Sequence, residues 1–91
     1  MKKTRTRRVN ISIETCFNIF YEDLSRNLRK ASEDKDLIDL RIENIETSGN
    51  ELRHELYGMM LIGAFTWKEY LILREKIKRL TKETVKTIKS L

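Results

Sequence analysis

The chain has 91 residues, 40% of them apolar and 36% charged, with a net charge of +5; that suffices for one modest core and is too apolar for a disordered chain. Proline is absent, glycine occurs three times and cysteine once, a composition that favours helices and excludes an internal disulfide. The longest apolar run, Met59 to Phe65, falls far short of the ~20 residues a membrane-spanning helix needs.

Charge is segregated along the chain. Residues 1–8 hold five cations (Lys2, Lys3, Arg5, Arg7 and Arg8) and no acid, residues 9–67 sum to −5, and residues 68–91 sum to +5. Residues 1–8 have almost nothing apolar to bury, so the expected organisation is a flexible basic arm followed by a single helical domain over 9–91. The segment after the arm, Val9 to Cys16, is interrupted by polar residues and has no small-residue cleavage site. A secretory leader is therefore not expected, and a lone cysteine suits a reducing, cytoplasmic setting.

Val9, Ile11 and Ile13 alternate with polar residues, which allows a short strand over 7–13; a helix lead-in explains them equally well. From Glu14 the period changes. Phe17, Phe20, Leu24, Leu28 and Ala31 line one face of a helix to about Ser32, widened by Cys16 and Ile19. Ser32–Asp36 is a polar break in which Ser32 or Asp34 can cap the next helix. That second helix is predicted over 35–46 with Ile38, Ile42 and Ile45 on one face. Thr47-Ser48-Gly49-Asn50 reads as a loop, with Gly49 as a left-handed helix end and Ser48 or Asn50 as the next cap.

A third helix over about 50–62 places Leu52, Leu56, Met59 and Met60 together, and Gly63 suits its end. Thr66-Trp67-Lys68-Glu69 has the spacing of a capping box. The last helix has no breaker before the C-terminus; Tyr70, Leu73, Ile77, Leu80, Ile88 and Leu91 share one side, while Arg74, Lys78, Arg79, Lys82, Lys86 and Lys89 share the other. The expected fold is all-α, with a short N-terminal strand left open. It has three to four helices and ends in a helical hairpin with a long basic last helix.

Two arrangements carry functional information. The basic face of the last helix can neutralise phosphates and release their counterions, although a solvated lysine face would look the same. The arm is more specific, because five clustered cations repel one another unless an anion is near, and such arms reach along nucleic-acid grooves. The leading expectation is a non-enzymatic DNA-binding or nucleic-acid-associated regulator. Lys2, Lys3, Arg5, Arg7 and Arg8 would form one contact set, with Arg74, Lys78, Lys82 and Lys86 as a second. Met59, Trp67, Tyr70, Leu73, Ile77 and Leu80 are the expected interface of a homodimer, since so short a chain cannot hide every apolar side of its last two helices. The alternative is a protein-interaction module, an adaptor or small inhibitor, presenting helix faces to a protein partner.

Catalytic chemistry has little support. His54 has no second histidine or nearby cysteine with which to hold a metal. Cys16 sits on or beside an apolar stripe, where a free cysteine acts as a small hydrophobe. The acid pairs Glu22–Asp23 and Glu33–Asp34 have no apolar pocket signalled around them, and glycine-rich phosphate loops are absent. No cofactor is expected.

Two local resemblances add to this reading. Leu52, Leu56, Gly63-Ala64-Phe65-Thr66-Trp67-Lys68-Glu69-Tyr70, Arg74 and Ile77 are similar to the short C-terminal helical hairpins called SHOCT. That resemblance implies a short helix, a tight turn and an amphipathic helix, sometimes used for oligomerisation. Residues 7–46, a polar-faced strand pattern followed by two helices, resemble the ribbon-helix-helix DNA-binding family. There, Arg8, Asn10 and Ser12 would face the major groove from a dimeric strand pair.

Overall fold

A computed structural model describes the backbone of residues 2–91 and the side chains of residues 13–91. Three α-helices succeed one another: α1 (Lys2–Glu33), α2 (Ile38–Leu61) and α3 (Trp67–Lys89), with one 3-10 turn at Lys35–Leu37 before α2. The fold is all-α. Residues 7–13, for which the alternation allowed a strand, lie within α1, which begins well before the expected Glu14. The side chains of the arm residues Lys2, Lys3, Arg5, Arg7 and Arg8 lie outside the described residues.

Antiparallel pairing of α1 with α2 is written in three polar contacts whose numbers run in opposite directions. The Cys16 thiol donates to Glu55, the Ser48 hydroxyl to Asp23, and the Asn44 amide to Asn27, at 3.1, 3.0 and 3.4 Å. Asn27 is the one buried polar side chain among the described residues. Its own amide donates to the Asp23 carbonyl at 2.8 Å, so the group is satisfied in place rather than left as a buried orphan. Around this seam the first-helix stripe is buried as expected, with Phe17, Phe20, Leu24 and Ala31 meeting Ile45, Leu52 and Leu56 from α2.

The connections use the local chemistry that the sequence advertises. Asp34 caps the 3-10 turn, its carboxylate accepting from the Asp36 amide at 3.1 Å. Beyond α2, Gly63 takes a φ of +84°. The Gly63 and Ala64 amides donate back to the Met60 and Met59 carbonyls, each at 3.0 Å. This is a Schellman end, which a Cβ at Gly63 would strain. Thr66 and Glu69 then form the full capping box, each side chain accepting the other's backbone N–H at 3.1 Å.

The expected break at residues 47–50 does not occur. Ser48, Gly49 and Asn50 lie inside α2, so two predicted helices are one, and the described residues hold three helices, the lower of the expected three to four. The reason is packing. Gly49 is buried against α3, and a Cβ added there would stand 2.8 Å from Thr81 Oγ1 and 3.6 Å from the Ile77 side chain. Helix propensity favours a break by only ~1 kcal/mol at glycine, which the burial of Ile45, Leu52, Leu56 and Ile77 at ~1.5–3 kcal/mol each outweighs. Ser48 bonds to Asp23 across the seam instead of capping a helix.

Of the expected interface residues, Tyr70 and Ile77 are buried in the core of the single chain, and Met59, Leu73 and Leu80 pack partly buried against it. Their apolar stripe is thus largely covered by α2 and α1 within the single chain. Only Trp67 of the six is exposed.

The Gly49–Thr81 approach predicts a sign reversal. Gly49→Ala alone is expected to destabilise by ~1 kcal/mol or more. In a Thr81→Ala background, the same change is expected to stabilise by up to ~1 kcal/mol, because the helix-propensity gain then meets no clash. Urea denaturation of the four proteins in this cycle measures it; additive effects would refute the contact.

Candidate nucleic-acid interface

The antiparallel α2–α3 pair leaves a groove of about 630 Å3, lined by Glu46, Gly49, Asn50 and Arg53 from α2 and by Ile77, Lys78, Thr81, Lys82 and Val85 from α3, with no α1 residue among them. Its floor is low because Gly49 has no side chain. Next to it lies a smaller notch of about 320 Å3, formed by Arg53, His54, Tyr57, Tyr70 and Arg74. Arg53 belongs to both, so the two depressions are neighbours on one face.

Arg74, Lys78, Lys82 and Lys86 recur every fourth residue, a step of about 6 Å along the helix axis. The first three therefore border the notch and groove, while Lys86 is exposed one turn further on. Arg53 enters from the facing helix. Sequence reasoning missed it, because the phase of Arg53 relative to the last helix depends on α2 running unbroken through Gly49. Nothing in the pattern of Arg53's neighbours marks it; the missing signal is the buried glycine.

Most of these cations have no counter-charge. Among the described residues, ion pairs join Asp23 to Arg26 and Glu75 to Lys78, the latter long at 3.9 Å and exposed. Arg53, Arg74 and Lys82 have no such partner there. Arg53 donates to the Asn50 side chain, and Arg74 Nε is buried without any hydrogen-bond partner. One carboxylate, Glu46, lines the groove. The face is thus cationic and only partly satisfied, which is the condition under which an external anion contributes most.

The other side of α2 has opposite character. Asp23, Glu51 and Glu55 stand with Cys16 and Ser48 along the α1–α2 groove. There the thiol of Cys16 is pushed up to about 11, first by burial, then by its hydrogen bond to the Glu55 carboxylate and that group's negative charge. A thiol so held is a poor nucleophile. His54 Nδ1 lies 2.8 Å from the Asn50 carbonyl, so that nitrogen carries the proton. Among the described residues no cluster of three His, Cys, Asp or Glu side chains could hold a metal, and no helix is long and apolar enough to cross a membrane.

At the notch end of the basic row stands an aromatic group. Buried Tyr70 holds Tyr57 edge-on, with ring centroids 5.6 Å apart, and Trp67 tilted at 5.5 Å. Tyr57 and Trp67 remain 42% and 52% exposed, beside Leu61 and Ile62 at 64% and 80%. Comparison with known proteins returns no match: no family model fits the chain, and no curated protein or solved structure matches it.

The Cys16 environment is open to test. With its thiol at about 11, against ~8.5 for a free cysteine, the reactive thiolate at pH 8 is scarcer by more than about a hundredfold. Labelling by a thiol reagent at that pH is expected to be correspondingly slow. Glu55→Gln removes the negative charge and is expected to speed it. Wild-type labelling at the rate of a free thiol would contradict the Cys16–Glu55 contact.

Proposed function

We infer that the chain is a small, non-enzymatic nucleic-acid-binding protein with a regulatory role, which grips phosphates through the α2–α3 face. The observation that carries this reading is the gathering of Arg53, Arg74, Lys78 and Lys82 around two adjoining depressions on one face, largely without acidic partners. The five cations of residues 2–8 add a second contact set, and Lys86 extends the row. Binding of this kind draws its free energy from counterion release, so it is steeply salt-dependent and reads little sequence by itself.

A specific observation supports a second reading, a protein-interaction module. Leu61, Ile62, Trp67 and Ile72 are all more than half exposed, and surface of that kind suits a protein partner or a second copy of the chain. Light scattering at low and high salt, with and without nucleic acid, separates the two: a salt-insensitive oligomer that ignores nucleic acid favours the second.

Salt-titrated binding of the full chain to duplex DNA and RNA tests the first reading. Four phosphate contacts from Arg53, Arg74, Lys78 and Lys82 give a slope of log K against log salt of about −4 on duplex DNA, steeper with residues 2–8 engaged. Deleting residues 2–8 is expected to flatten the slope without abolishing binding. Arg53→Glu with Lys78→Glu and Lys82→Glu is expected to abolish it at physiological salt. No binding to any nucleic acid at low salt would overturn the reading.

A further inference from the structure

We propose that the face is built for single-stranded nucleic acid, with bases stacking on Tyr57 and Trp67 while the phosphates track along Arg74, Arg53, Lys78 and Lys82. This rests on the nucleic-acid reading above and names its substrate class. Duplex binding needs cations alone, whereas exposed aromatic rings at the head of a basic track can stack bases that are unstacked and free.

The geometry supplies both parts within one face. Tyr70 is buried, and its ring backs Tyr57 edge-on at 5.6 Å and Trp67 at 5.5 Å, so the two exposed rings are braced from behind. A braced ring presents a stacking surface at little entropic cost. Tyr57 shares its notch with Arg53, His54 and Arg74, and the notch holds about 320 Å3, at the small end of ligand pockets. From there Arg74, Lys78 and Lys82 step along α3 by about 6 Å each, a row along which a single backbone can run through the groove. Arg74 lines the notch beside Tyr57, so its guanidinium stands where base and phosphate would meet. Two acids border the track: Glu46 at its far part and Glu75, 3.9 Å from Lys78.

Trp67 is the only tryptophan in the chain, so its fluorescence reports stacking directly. The experiment titrates the full chain with oligothymidine, oligouridine and a DNA duplex of equal length, monitoring anisotropy of labelled strands and quenching of Trp67. Single strands are expected to bind at least about tenfold tighter than duplex and to quench Trp67, and Tyr57→Ala or Trp67→Ala is expected to weaken single-strand binding by about tenfold while leaving duplex binding within about twofold. Both side chains are exposed, and circular dichroism of each variant establishes that the helices persist. Equal affinity for duplex and single strands with unchanged fluorescence overturns this inference and leaves phosphate binding standing. A single-strand preference that survives both substitutions overturns it too. Binding to no nucleic acid at low salt overturns both readings, and leaves the aromatic edge to a protein partner.

Discussion

The arrangement turns on the contact between Gly49 of α2 and Thr81 and Ile77 of α3. With no side chain at position 49, α3 lies so close that even a methyl group would stand 2.8 Å from the Thr81 hydroxyl. That closeness has two consequences. It keeps α2 continuous, since the segment is clamped between α3 and the Phe20 ring of α1, and it leaves a depression in which the floor is glycine and the rims are cationic. A bulkier residue would push the helices apart and fill the groove together.

Continuity of α2 then sorts the charges. One side of the helix carries Glu51 and Glu55 toward α1, near Asp23; another carries Arg53 toward α3, near Lys78 and Lys82. The blocks of positive and negative charge along the sequence thus become two faces of one structure. The acidic seam is tied into the fold through the Ser48–Asp23 and Cys16–Glu55 hydrogen bonds. The basic face has few such ties, because a repulsive cluster of cations contributes nothing to folding on its own.

Much of the fold was legible from spacing and caps. The stripe from Phe17 to Ala31, the Ile38–Ile45 face, the turn at Gly63 and the Thr66–Glu69 box all rest on local rules, and each lies where those rules place it. The failures share one cause. Thr47-Ser48-Gly49-Asn50 has turn chemistry, but what decides its conformation is a partner helix nearly thirty residues away in sequence, which local propensity does not register. Tyr70 and Ile77 looked available for a dimer because a helical stripe reveals that it must be covered, not by what. Of the site, the row Arg74, Lys78, Lys82, Lys86 was visible as a helix face. Arg53 and the bracing of Tyr57 and Trp67 by Tyr70 appear only once α2 and α3 are set side by side.

The proposed function puts nucleic acid on the α2–α3 face and none on the α1–α2 side. Amide and side-chain chemical-shift mapping by NMR, with a single-stranded oligonucleotide added in steps, tests it most directly. Shifts are expected to concentrate at Arg53, Tyr57, Trp67, Arg74, Lys78 and Lys82, with Asp23, Glu51 and Glu55 unmoved. Shifts centred on the acidic seam, or none at low salt, would contradict it.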